Sequence, residues 1–269
     1  MNNRRSMNDF CQDIIRLLSG HGINFLVGGY DAFRDHTGIS RETKDFDLIT
    51  RPADVASVIQ LCREASFGAD WVFKHWLAKI HDQENFIDLI FNSGNGVCAV
   101  DDLWFARAPV RLIFDLPVKI IPVEELLWQK AYIMERERYD GADIAHLLLK
   151  CANQIDWKHL LYRFGPDWRV LLTHLLLFGF IYPAKRELIP GHVLTELLKR
   201  VETEQQSEPP AANVCNGPLL SRSQFISDVG ENEFRDGRLS DRNAMTEEDI
   251  KEWTAAAVAE QQTHRSLRP

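Results

Sequence analysis

FLVGGYDAFRDHTGISRETKDFDLIT, Phe25 to Thr50, is the stretch on which the reading of the chain turns. An apolar run enters Gly28-Gly29, and after a polar segment the chain returns to alternation in Asp45-Phe46-Asp47-Leu48. Successive residues of a strand point to opposite faces, so Asp45 and Asp47 share one face while Phe46 and Leu48 share the other. Two carboxylates side by side suit the divalent ions of phosphoryl chemistry. Without Cβ atoms, the two glycines let the backbone turn sharply and let a phosphate approach main-chain N–H groups at the start of a following helix. Taken singly, Gly-Gly is explained by a turn and Asp-x-Asp by a solvated strand face. Their conjunction points to a site for a metal and a nucleoside triphosphate.

That succession of strand, glycine turn, helix and Asp-x-Asp strand resembles the signature of the nucleotidyltransferase superfamily. Within it the chain looks closest to bacterial nucleotidyltransferase-like proteins of the AbiEii type. The resemblance implies an α+β fold, a nucleotidyltransferase-like mixed sheet with flanking helices followed by a helical domain. It implies Asp45 and Asp47 as ligands of Mg²⁺ or Mn²⁺, with Gly28 and Gly29 at the phosphates of a bound nucleotide such as ATP. Gly28-Gly29 stands where many members have Gly-Ser, and the segment from Asp31 to Lys44 is long for the pattern.

Farther along, Trp71 to His81 and Phe86 to Phe91 read as two strands separated by the polar turn Asp82-Gln83-Glu84-Asn85. Asp88 interrupts the otherwise apolar Phe86-Ile87-Asp88-Leu89-Ile90-Phe91. A buried unpaired charge is costly, so such a group pairs, binds a metal or neutralises; the plainer alternative is an edge residue facing water. The superfamily resemblance expects a third carboxylate beside the Asp-x-Asp strand, which makes Asp88 the general base or third metal ligand. His81-Asp82 faintly resembles metal phosphohydrolases, but the remaining ligand pattern of that class is missing. His75 and His81 read as core or rim residues.

From Val123 the apolar period becomes helical, in PVEELLWQKAYIMERERYDGADIAHLLLK. Lys130 emerges from the apolar stripe of Leu126, Leu127, Ile133 and Met134, with no obvious anionic partner close in sequence. The lysine followed by Arg138 and the spaced pair Asp140 and Asp143 resembles a later motif of AbiEii-type proteins, implying that Lys130 contacts the triphosphate. Asp140 and Asp143 also suit the N-cap and N3 positions of the next helix, their main expected role, with orientation of Lys130 or Arg138 as a second. Helical segments follow at Trp157–Phe164, Trp168–Phe180 and Val193–Val201, the second expected to be a buried helix. The expected organisation is a sheet domain over 1–121, a helical domain over 122–201, a polar linker over 202–216 and a C-terminal segment, 217–262, docked on the body. In that segment Thr246 caps a helix with Asp249 at N3, and Ile250, Trp253, Ala257 and Val258 supply its apolar face.

Composition bounds the rest. The 269 residues are 45% hydrophobic and 26% charged, ordinary for a globular chain, and a net charge of −8 gives no long basic track for RNA. Five scattered cysteines without zinc spacing fit reduced thiols and a cytoplasmic location. The apolar run from Val170 to Tyr182 is shorter than the roughly 20 residues of a membrane helix, so no membrane partner is expected. The resemblance implies metal-dependent transfer of a nucleoside monophosphate from a nucleoside triphosphate to a hydroxyl acceptor. A small-molecule or protein hydroxyl ranks above RNA as that acceptor. A non-catalytic nucleotide-binding regulator and a metal-dependent phosphohydrolase are the alternatives.

Overall fold

The computed structural model describes residues 5–41, 45–230, 234–241, 243 and 245–266, with side chains as far as 257. Lys44, at the end of the long segment after the glycines, and the Val258 side chain lie outside the described set. The fold is α+β, and the chain divides into two compact units: Met1–Pro122 with Ala244–Glu252, and Val123–Asn243 with Trp253–Pro269.

The first unit begins with α1 (Met7–Gly20), whose N-cap Ser6 accepts a hydrogen bond from the Asp9 N–H at 3.1 Å. Phe10, Ile14 and Leu18 recur at helical spacing and are fully buried, so this apolar stripe is the packed face. Then come β1 (Leu26–Val27), α2 (Gly29–Thr37), β2 (Phe46–Ile49) and α3 (Val55–Glu64), the last entered through a short 3₁₀ turn that starts at Pro52. Three strands follow, β3 (Gly68–Phe73), β4 (Leu77–Asp82) and β5 (Asn85–Ile90). The five strands form one mixed sheet in the order β1-β2-β5-β4-β3, with β2 and β5 parallel and the other pairs antiparallel. Parallel neighbours need a crossover, and α3 with the β3-β4 hairpin supplies it.

One expectation is corrected here. The span Trp71–His81 is not one strand: the chain reverses through Lys74-His75-Trp76, and Phe73 pairs with Leu77. No Gly or Pro marks that reversal; Trp76 stacks on Phe73 with centroids 6.0 Å apart, and the Trp76 N–H donates to the Phe73 carbonyl. After α4 (Asp102–Ala106), β6 (Val110–Ile113) and β7 (Leu116–Lys119) do not extend the main sheet but pair as a separate two-stranded sheet. Their turn carries Phe114 and Asp115 at φ +50° and +61°, so the primed hairpin geometry arises here without glycine. A single bridge, Val27 to Ile120, links the chain after β7 to β1.

The second unit contains α5 (Val123–Ala131), α6 (Gly141–Cys151), α7 (Trp157–Phe164), α8 (Trp168–Ile181) and α9 (Gly191–Gln205). Asp156 caps α7, accepting from the His159 N–H at 3.0 Å. α8 corrects another expectation: it buries Leu171, Leu172, Leu175 and Phe178 but leaves Leu176, Leu177, Phe180 and Ile181 exposed. The reason is that a one-sided packing surface covers only part of a helix, and the uncovered part of this one carries large apolar side chains as well as polar ones. The chain continues through β8 (Val214–Cys215), α10 (Ile226–Gly230), β9 (Arg235–Asp236) and α11 (Glu247–Ser266), with β8 and β9 parallel. The capping box forms as read: the Thr246 N–H donates to Asp249 Oδ2 at 2.9 Å, and the Asp249 N–H to Thr246 Oγ at 3.2 Å. Among the described residues no helix is long and apolar enough to cross a membrane.

Candidate functional site

The register of two strands builds the site. On β2, Asp47 stands between buried Phe46 and Leu48, and it lies opposite Asp88 on the parallel neighbour β5. Residues opposite one another in a pleated sheet project from the same face, so two half-buried carboxylates are adjacent by construction. Asp45 is exposed just before β2, and its charge reaches Asp88. Burial is the largest influence on Asp88 and pushes its carboxyl above the usual carboxylate range; Lys79 opposes this and Asp45 adds to it. Such a carboxyl binds a proton more readily than an ordinary aspartate.

The glycine turn packs directly on this pair. The Gly28 N–H donates to the Asp47 carbonyl at 2.9 Å, and Gly28, in extended conformation, is the N-cap of α2. Gly29 has φ +53°, and a Cβ there would lie 1.7 Å from Asp47 Oδ2. Only a residue without a side chain permits both that backbone conformation and that approach. The turn therefore seats the Asp47 carboxylate against the first residue of α2.

Asp88 has a cationic neighbour on the adjacent strand. Lys79 lies opposite Asp88 in the antiparallel β4-β5 register, with Nζ 2.9 Å from Oδ1. The ammonium is off hydrogen-bonding geometry, leaving this buried oxygen without a directed donor. Alternation of strand residues plus the hairpin turn at Gln83-Glu84 was the signal that could have paired these two positions. Of the histidines considered, His75 is buried and bonds the Gly94 carbonyl through Nε2 at 3.1 Å, while exposed His81 meets Asp70 at 3.0 Å.

Tested against a divalent cation, the donor set fits in kind. Carboxylate oxygens are the hard ligands Mg²⁺ and Mn²⁺ take, and the buried Asp88 Oδ1 has acceptor capacity that no hydrogen bond fills among the described residues. Among the described residues no three His, Cys, Asp or Glu side chains already converge in ligand geometry.

In the second unit Lys130 is 6% exposed, and its ammonium donates to Asp140 Oδ2 at 2.8 Å and Asp143 Oδ2 at 2.7 Å. This arrangement brings out the secondary role read for the two carboxylates, that of orienting the lysine: the turn between α5 and α6 brings both of them back onto it. It corrects the capping role expected for Asp140, which makes no side-chain capping bond and instead receives Lys130 and Arg138. Burial opposes ionisation of Asp140, but Arg138 and Lys130 together hold its carboxyl below the ordinary range. A second buried cluster went unread: Glu125, fully enclosed, accepts from Arg163 Nε at 3.1 Å and meets His159 Nε2 at 2.6 Å. Spacing on α5 gave no hint of it because both partners come from α7.

No family model matches the chain, and no curated protein sequence matches it. Structural comparison finds ANT(2″)-Ia in complex with adenylyl-2″-tobramycin, at 14% identity and TM-score 0.43 over 61% of this chain and 99% of that one. It also finds the lincosamide antibiotic adenylyltransferase LnuA, at 19% identity and TM-score 0.38 over 54% and 98%. A nucleotidyltransferase-like protein from Paracoccidioides brasiliensis is similar at 15% identity and TM-score 0.43 over 68% and 91%.

Proposed function

We infer that this chain is a divalent-metal-dependent nucleotidyltransferase that moves a nucleoside monophosphate from a nucleoside triphosphate to a hydroxyl acceptor. The observation that carries the reading is the seating of Asp47 against Gly29 at the start of α2, with Asp88 in register on the parallel neighbouring strand. Carboxylates for a cation and a helix start for a phosphate thus belong to one turn. Asp45 and Asp47 would hold Mg²⁺ or Mn²⁺, with Asp88 as the third ligand or base. The ion, when bound, supplies charge neutralisation on the triphosphate.

In this reading the acceptor oxygen attacks the α-phosphorus, the bond to the bridging oxygen breaks, and pyrophosphate leaves. Asp88, whose burial raises its proton affinity, takes the acceptor's proton. Gly28 and Gly29 leave room for phosphate beside the main chain. The net charge of −8 supports a small-molecule or protein hydroxyl over RNA as acceptor. Lys130 has a structural claim first, through Asp140 and Asp143. A phosphate contact from it stays a proposal, which nucleotide titration of Lys130→Arg decides.

Equilibrium binding tests the reading. The parent should bind Mn²⁺ and a non-hydrolysable triphosphate analogue together, and Asp47→Ala should lose both. Equal binding by the two proteins would remove the assignment.

A further inference from the structure

The registers of four strands align a row of charges across one face of the main sheet: Asp47 opposite Asp88, Asp88 opposite Lys79, and Lys79 opposite Asp70. Lys79 is the one cation in that row. Its ammonium sits 2.9 Å from Asp88 Oδ1 and 3.9 Å from the Phe86 ring centroid, and its side chain is 35% exposed. We propose that Lys79 is a built-in counter-cation for Asp88, holding that carboxylate in the metal-free protein and yielding it when a divalent cation binds. The inference rests on the reading of Asp45, Asp47 and Asp88 as a cation site.

Three features carry it. The Lys79–Asp88 contact is close but undirected, so the ammonium supplies charge without filling the oxygen's hydrogen-bonding capacity. A second cation can therefore replace it without orphaning a hydrogen bond. Lysine is a point charge on a flexible four-carbon stem, and one-third exposure leaves this stem room to swing away. Asp70, on the far side of Lys79, is already engaged, its Oδ1 by Arg63 at 2.7 Å and its Oδ2 by His81 at 3.0 Å, so a displaced ammonium turns to solvent. Without a counter-cation, Asp47, Asp88 and the nearby Asp45 would repel one another; with a divalent ion among them, Lys79 becomes a like charge beside it. Binding of the ion and departure of Lys79 are thus linked.

The test uses the full chain, stripped of metal, and Mn²⁺ titrated at constant ionic strength with free ion read by electron paramagnetic resonance. Lys79→Met, which keeps the stem and removes the charge, should bind Mn²⁺ about threefold to tenfold more tightly than the parent, the scale of a partly exposed ion pair. Lys79→Arg should return affinity towards that of the parent. Without any change at Lys79, the Lys79 ¹³Cε resonance should move on adding Mg²⁺ to the parent and stay in place in Asp47→Ala. Unchanged or weaker Mn²⁺ binding by a folded Lys79→Met, or a Lys79 resonance indifferent to Mg²⁺ in a parent that binds it, overturns the proposal alone. Failure of the parent to bind Mn²⁺ better than Asp47→Ala removes the cation-site reading, and this inference with it.

Discussion

Gly29→Ala isolates the contact on which the site depends. Two costs are built into the substitution. The first is conformational: an alanine held at φ +53° bears the left-handed penalty of about 1–2 kcal/mol. The second is steric, since a Cβ 1.7 Å from Asp47 Oδ2 must drive that carboxylate off its rotamer, at about 0.5–1.5 kcal/mol. Gly38→Ala supplies the control, because Gly38 has φ +72° at the end of the same helix and nothing within 4 Å of its Cβ position. Denaturant unfolding should place Gly38→Ala about 1–2 kcal/mol below the parent and Gly29→Ala about 1.5–3.5 kcal/mol below it. Mn²⁺ binding should then separate the two completely: Gly38→Ala binds like the parent, and Gly29→Ala binds as poorly as Asp47→Ala. If folded Gly29→Ala keeps the metal affinity of Gly38→Ala, the seating of Asp47 has no functional weight and the reasoning fails.

Lys130→Met should cost about 3–5 kcal/mol in urea unfolding, because it strands Asp140 and Asp143 in a buried setting; a loss below about 1 kcal/mol would show that the pair contributes nothing. On α8, Phe178→Ala should cost about 3–5 kcal/mol and Phe180→Ala within about 0.5 kcal/mol, since the first ring is fully buried and the second is 84% exposed; equal losses would contradict the packing of that helix. His174 is held below the ordinary imidazole range chiefly by burial, partly offset by its contact with the Ala131 carbonyl. The unfolded chain therefore takes up a proton near pH 6.5 that the folded chain resists, so stability is full above that pH and falls as pH drops below it. His174→Gln should show a shallower loss between pH 7.5 and pH 5.5 in the same urea assay, and an unchanged slope would refute the assignment.

What could be read in the sequence was whatever local chemistry determines. The glycine turn, the Asp-x-Asp strand and the Asp88 interruption each announce themselves within a few residues, and strand alternation fixes the face of Asp47, while Asp45 falls one residue before β2. The Thr246–Asp249 capping box is likewise a three-residue matter. Pairings across strands and between helices were not legible. Lys79 meets Asp88 only because β4 and β5 turn back at Gln83-Glu84, and Glu125 meets Arg163 only because α5 packs on α7. Lys130 shows how far spacing can mislead: a capping-box pattern at Asp140 and Asp143 is locally sound, yet tertiary folding gives both carboxylates to the lysine ten and thirteen residues earlier. The reversal at Lys74-His75-Trp76 escaped notice for a related reason, since aromatic packing rather than turn residues stabilises it.

The most direct measurement incubates the parent and Asp47→Ala with each α-labelled nucleoside triphosphate, with Mg²⁺ or Mn²⁺, and with separate pools of metabolites, proteins and RNA. The account predicts label joined to a metabolite or protein hydroxyl by the parent and not by the variant, with unlabelled pyrophosphate released. Release of γ-phosphate without transfer of α-label, or nucleotide binding with no pool labelled, would contradict it.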